Sequence, residues 1–283
     1  MTSLRNDILE NKQSTYNRII YNEEGIIGFI DKGVQRSTQE DTLLILKHKS
    51  LKNVELMLIA DGMGGLKNGS TASNIVALEV MKWFDNFDFD RYNFEYMINS
   101  FVNLIYQIDD DIRIMATCGG STIVCAIVNL DKTFIVNIGD SRCYIYNSDS
   151  LYQITEDHNL SWKYYKNGMI TKDDLRFSTE NHLLTSRVGC ESRLLTIDKH
   201  IIPCSEYSKI LLFSDGITDI LPDQIIKEKF VGNEIFNPKQ IIEYIRNYRE
   251  KNVSINEYLL RDEVYGQKDN VSCIIKNNGR VRI

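Results

Sequence analysis

The sequence of 283 residues is short of the features that mark secreted, membrane and nucleic-acid-binding chains. It has three prolines, at positions 203, 222 and 238, and no Gly/Ser-rich linker, low-complexity stretch or internal repeat, so nothing signals a boundary between domains. Its six cysteines (Cys118, Cys125, Cys143, Cys190, Cys204 and Cys273) form no C-x-x-C pair, which removes the ordinary spacing of a zinc site. Cys125 and Cys273 lie in apolar runs, and reduced, mostly buried thiols are expected. The longest apolar run, Ile123 to Val128, is six residues, against about 20 for a bilayer span. The segment from Met1 to Gln13 lacks the apolar core of a secretory signal. Lys and Arg number 33 against 39 Asp and Glu, a formal net charge of −6, which argues against a nucleic acid or an anionic membrane as partner. A cytoplasmic protein follows as the expectation.

What is present is ordinary globular composition, 43% apolar and 25% charged, in a chain long enough to build a core without staples. Residues 1–24 are polar and Asn-rich and read as a lead-in. Residues 25–283 read as one domain. Strands are expected over 26–30, 42–47 and 54–60. Two helices follow. Ala72, Ile75, Val76, Val80, Trp83 and Phe84 share one face at steps of three and four, and Phe94, Met97, Ile98, Phe101, Ile105, Ile108 and Ile112 share another. Runs 122–128 and 133–138, joined by Asn129-Leu130-Asp131-Lys132, predict a hairpin. Further strands are expected over 143–146, 194–202, 210–213 and 271–276, with helices over 222–230 and 238–250. Strands in runs around a helix pair read as α+β, with helices on antiparallel sheets.

The acidic residues are placed in a pattern. Asp61 follows the apolar run Leu56 to Ala60 and precedes Gly62-Met63-Gly64-Gly65. Asp215 follows Ile210 to Ser214 and precedes Gly216, and Asp140 follows Phe134 to Gly139. A single Asp-Gly after a strand is an ordinary turn. Three strand-terminal aspartates would converge at a sheet edge, where they repel unless a cation neutralises them. Hard divalent cations suit such an all-oxygen setting. Gly62 is expected to allow an unusual backbone angle and a close approach, making its carbonyl a candidate ligand.

Taken in order, Arg36-Ser37-Thr38-Gln39-Glu40-Asp41, Asp61-Gly62-Met63-Gly64-Gly65, Gly120-Ser121-Thr122, Gly139-Asp140-Ser141-Arg142, Ser214-Asp215-Gly216 and Asp269-Asn270 resemble the PPM (protein phosphatase 2C) family over about residues 25–276. The segment from Thr155-Glu156-Asp157-His158 to Thr185-Ser186-Arg187-Val188-Gly189 resembles the flap of its bacterial branch. The resemblance implies a four-layer αββα sandwich, two antiparallel β-sheets flanked by helix pairs. It implies a metal-dependent serine/threonine protein phosphatase that hydrolyses phosphoserine and phosphothreonine by metal-activated water. It implies two Mn²⁺ or Mg²⁺ ions at one end of the sandwich and a weaker third. By position, Asp61 would bridge the two ions and the Gly62 carbonyl would bind one of them, with Glu40 serving that ion through water. Asp215 and Asp269 would hold the other ion, and Asp140 would help the third. Asp41 would orient the water and Arg36 would bind the substrate phosphate, its planar fork matching phosphate oxygens. Implied partners are phosphoprotein substrates of a bacterial-type Ser/Thr kinase, met by a monomer.

The pattern departs from the family at Met63, where eukaryotic members carry the histidine proposed as general acid; protonation of the leaving group then falls to water or another residue. His158 reads as structural. Flap residues 159–180, with Trp162, Tyr164 and Tyr165, read either as a substrate-selecting loop or as plain packing. The competing function is a catalytically inactive PPM-like module that binds phosphoprotein. Such a module would be expected to lose ligands, and Asp61, Gly62, Asp215 and Asp269 are all present. A scaffolding domain with an incidental acidic edge is the third reading.

Overall fold

Two strands buried on both faces organise the molecule. In β4 (Val54–Ala60) every residue is buried, and so is every residue of β7 (Ile123–Asn129). Because side chains alternate along a strand, each sends alternate residues to two different cores. Leu56, Leu58, Ile123, Cys125 and Ile127 face one, while Met57, Ile59, Val124 and Ala126 face the other. This is why these strands read as continuous apolar runs rather than as alternating ones.

The computed structural model describes residues 18–23, 25–33, 36–64, 68–115, 119–172, 174–189, 195–231, 237–248 and 269–278. Gly65, Cys118, Cys190, Leu194, most of the expected lead-in and the last two residues of the expected 238–250 helix lie outside them. The first sheet runs β1 (Arg18–Glu23), β2 (Ile26–Asp31), β13 (Val271–Asn277), β12 (Lys209–Phe213), β9 (Arg142–Asn147), β10 (Ser150–Gln153). The second runs β11 (Asp198–Pro203), β8 (Lys132–Ile138), β7, β4, β3 (Thr42–Lys47). All pairings are antiparallel, including the short ribbon of β5 (Gly62–Met63) with β6 (Gly120–Ser121).

Helices α1 (Asn68–Asn86) and α2 (Phe94–Met115) cover the outer face of the second sheet, burying Ala72, Val76, Val80, Met97, Phe101, Ile105 and Ile108. Asn93 starts α2 by accepting from the Tyr96 backbone N at 2.8 Å. The second core lies between the sheets, around Ile26, Met57, Tyr207, Leu212 and Ile274. The third packs Phe29, Leu211, Phe213 and Ile275 against α4 (Asp215–Thr218), α5 (Asp223–Ile226) and α6 (Pro238–Asn247). A further short helix, α3 (Leu160–Lys166), lies in the flap. Three cores between four layers make the expected αββα sandwich. Each fully buried Leu, Ile or Phe contributes about 1.5–3 kcal/mol of transfer free energy.

Local details correct the sequence reading. The expected helix over 222–230 is one turn of α-helix, α5, running into a π-helical turn, Lys227–Val231. The expected 194–202 strand is regular only over Asp198–Pro203. The β7–β8 hairpin closes on Leu130 and Asp131 alone, because Asn129 pairs with Lys132 and Leu130 takes φ 60°. Strands β1, β5, β6 and β10 and helix α3 had no sequence signal. Among the described residues, no helix is long and apolar enough to cross a membrane. Cys125, Cys143, Cys204 and Cys273 are buried free thiols, as expected.

Candidate active site

Strand register brings the chemistry-bearing residues to one end of the sandwich. Thr42 pairs with Ala60, so Glu40 and Asp41, just before β3, lie beside Asp61, just after β4. Ile59 pairs with Val124, and Ile123 with Ile138, so the end of β8 and the Gly139-Asp140 turn lie at the same rim. In the other sheet Phe213 pairs with Cys273 and with Arg142, which puts Asp215 and Asp269 at that end too.

Short contacts fix the backbone there. The Asp61 carbonyl accepts from the Thr122 backbone N at 2.8 Å and the Ser121 hydroxyl at 3.0 Å, and the Asp61 N–H donates to the Thr122 hydroxyl at 3.1 Å. The Gly62 N–H donates to the Glu40 carbonyl at 3.2 Å, and the Ser73 hydroxyl of α1 donates to the same carbonyl at 2.5 Å. Gly62 has no left-handed φ; the unusual angle belongs to Gly64, at φ 131°. Gly62 is needed for close approach instead, because a Cβ there would come within 2.1 Å of the Gly69 carbonyl oxygen at the start of α1. Gly216 has the same reason: its Cβ would lie 2.0 Å from the Asn270 carbonyl oxygen.

The exposed Arg36 donates to Asp269 at 2.5 Å and stands 4.0 Å from the buried Glu40. Asp41, also buried, accepts from the Ser272 hydroxyl at 2.7 Å. Asp61 and Asp215 keep partial contact with solvent. Withdrawal from water pushes the carboxyls of Asp61, Asp215 and Asp140 well above their usual range. Mutual repulsion adds to it: Asp41, Asp215, Asp269 and Asp140 act on Asp61, and Asp269, Asp140, Asp219 and Asp41 act on Asp215. Asp41 is pushed up to about 7, first by burial, against the Ser272 hydrogen bond that lowers it. Glu40 is raised by burial too, with Arg36 pulling the other way.

Three buried carboxylate oxygens at this rim, Glu40 Oε1, Asp41 Oδ1 and Asp215 Oδ1, have no hydrogen-bond partner. Buried acceptors are rarely left so. Oxygen donors, mutual repulsion and orphaned lone pairs together fit hard divalent cations. Among the described residues, no three acidic side chains converge as they stand to the spacing of a single ion's ligands, and Asp269 is engaged by Arg36.

Two neighbours escaped the sequence reading. Asp219 lies one turn beyond Asp215 and is among the charges that raise both Asp140 and Asp215; its i+4 spacing from Asp215 was the available signal. Asn270 appeared only as half of a motif. His158 is structural, as expected: its Nδ1 accepts from the Gly139 backbone N–H at 3.2 Å, and its backbone N–H donates to the Gly139 carbonyl at 2.9 Å.

Comparison with known proteins bears on the family and the fold. A family model described as protein phosphatase 2C matches residues 27–163. The chain is similar to the serine/threonine phosphatase stp of Listeria monocytogenes, 26% identical over 261 residues, which cover 87% of this chain and 92% of that protein. It is also similar to protein phosphatase PhpP of Streptococcus pneumoniae, 24% identical over 205 residues, 70% of this chain and 80% of that one. Among solved structures, serine/threonine phosphatase Stp1 from Staphylococcus aureus superposes with a TM-score of 0.74 at 26% identity, covering 90% of this chain and 95% of that one.

Proposed function

We propose that the chain is a member of the protein phosphatase 2C family, which its similarities support, and a metal-dependent protein serine/threonine phosphatase whose chemistry runs at the Asp61–Asp215–Asp269 rim. Asp61 with the Gly62 carbonyl, Asp215 and Asp269 would hold two divalent cations, Mn²⁺ or Mg²⁺. Glu40 would serve one of them through water, and Asp140 would help a weaker third. When bound, such cations lower the pKa of water and draw charge off phosphoryl oxygens.

The protein's own side chains do the rest. Arg36, swung off Asp269, grips the phosphoryl oxygens of the substrate with its planar fork. Asp41 orients the attacking water through its free Oδ1, while Ser272 holds the other oxygen. Met63 carries no proton to give, so the departing serine or threonine oxygen takes its proton from solvent or from another group. Substrates are phosphoproteins, in this proposal the products of a bacterial-type Ser/Thr kinase, met in the cytoplasm by a monomer. Residues 25–283 act as one domain.

The observation that carries this reading is the set of orphaned oxygens on mutually repelling rim carboxylates. The test is hydrolysis of p-nitrophenyl phosphate and a phosphothreonine peptide with Mn²⁺, with EDTA, and in Asp61→Ala and Asp215→Ala. Turnover that needs Mn²⁺ and is lost in either variant is expected. Turnover indifferent to EDTA would overturn the reading. An inactive binding module would instead retain the phosphopeptide without turning it over.

A further inference from the structure

Asn270 is buried, 1% exposed, and holds no place in the chemistry assigned above. Its side chain makes three hydrogen bonds, all to the backbone of the segment that carries Arg36 and Glu40. Oδ1 accepts from the Glu40 N–H at 2.7 Å, and Nδ2 donates to the Lys32 carbonyl at 2.9 Å and the Thr38 carbonyl at 3.1 Å. These contacts bridge 230 to 238 positions of sequence.

The same residue's backbone touches the rest of the rim. Its N–H donates to Asp269 Oδ1 at 2.8 Å. Its carbonyl packs so closely on Gly216 that a Cβ there would lie 2.0 Å away. One residue therefore joins the Arg36 segment to Asp269 and to the turn that presents Asp215.

The chemistry of the amide is specific to the task. Only a side chain with both donor and acceptor reaches a backbone N–H and two carbonyls at once. Aspartate would keep the acceptor and lose both donors, and leucine would satisfy none of the three. Arg36 is itself exposed and long, so its position over the rim depends on how its backbone is held.

We infer that Asn270 is a positioning residue: its amide sets the Arg36–Glu40 segment against the Asp215 and Asp269 carboxylates, and so sets the grip of Arg36 on the substrate phosphate. This rests on the phosphate-binding reading of Arg36. The amide reaches Arg36 only through the backbone on either side of it, at Lys32, Thr38 and Glu40, and the loss it predicts is one of phosphate affinity rather than of the chemical step.

The test is a double-mutant cycle on the Mn²⁺-loaded enzyme. It reads KM and kcat for p-nitrophenyl phosphate and the inhibition constant of inorganic phosphate. Asn270→Ala is expected to raise KM and the phosphate inhibition constant roughly tenfold, with kcat changed less than about threefold. Arg36→Ala should do the same, and the double variant should be no worse than Arg36→Ala alone, because both remove one interaction. A multiplicative loss, about a hundredfold, would overturn the inference, as would an unchanged phosphate constant in Asn270→Ala. An unchanged constant in Arg36→Ala would instead overturn the phosphate-binding reading, and this inference with it. If Asn270→Ala does not fold, Asn270→Ser, which keeps a polar group for a bridging water, carries the same cycle.

Discussion

Two sets of buried acid at the same end of the sandwich are built in opposite ways. Asp157, 5% exposed, is saturated. Arg142 Nε donates to its Oδ1 at 2.8 Å and Nη2 to its Oδ2 at 2.6 Å, and the Gln153 amide adds a contact at 3.3 Å. The guanidinium also reaches the Tyr144 hydroxyl, which donates to Asp223 at 3.0 Å. On the neighbouring strand's extension, Asp215 has an oxygen with no partner, and so do Asp41 and Glu40. Acidic side chains are shared; a saturating counter-charge is not, since Arg36 pairs with Asp269 and only approaches Glu40, at 4.0 Å. An acid buried with its own arginine is part of the frame. An acid buried among other acids is raised by their repulsion, which a cation would relieve.

The contrast can be broken from either side. The largest effect should come from the rim. Asp61→Ala or Asp215→Ala should cut Mn²⁺-dependent hydrolysis by roughly three orders of magnitude or more without lowering the melting temperature of the metal-free protein, because a repelling charge is gone. Asp157→Ala should do the reverse to stability. It leaves Arg142 buried and unpaired, a loss of about 3–5 kcal/mol, read from the midpoint of urea unfolding. Next in size is metal linkage. Mn²⁺ at a hundred times its dissociation constant should stabilise the wild-type fold by about 2.7 kcal/mol, and Asp215→Ala should lose most of that gain in thermal melts.

The smallest effect is the pH dependence of the metal-free chain. Asp41 titrates near 7 in the fold, up from 3.8. Below the lower value it is protonated whether folded or not, and contributes nothing. Between the two, the fold holds a proton that the unfolded chain has released, so stability falls as pH rises and levels off above about 7. Asp61, Asp215 and Asp140 move in the same direction. Melts in chelator should therefore drop from pH 5 to pH 8, and Asp41→Asn should flatten the slope. A slope of opposite sign would contradict the crowding described at the rim.

The parts of this arrangement legible in the sequence are those with a local cause. Leu56 to Ala60 and Ile210 to Phe213 are apolar runs that end in a small residue and an aspartate, and Asp61 and Asp215 stand where that pattern puts them. The α1 and α2 stripes came from spacing alone, with Trp83 and Ile75 half-buried rather than central. What escaped depends on distant partners. The β5–β6 ribbon is four residues whose pairing has no periodicity. The reason for a glycine at 62 is the Gly69 carbonyl, visible only once α1 is docked. Arg142 and Asp157 carry no mark of their pairing, and Asn270 stood only as half of a motif because its partners lie at the other end of the chain. Resemblance to a family supplied the roles of Arg36, Glu40 and Asp269, for which local pattern alone gave little.

The most direct measurement is diffraction at the manganese absorption edge from crystals soaked in Mn²⁺. The account predicts anomalous peaks between Asp61, Asp215 and Asp269, with Arg36 moved off Asp269. Peaks confined to other acidic surfaces, or an unchanged Arg36–Asp269 pair with no manganese at the rim, would contradict it.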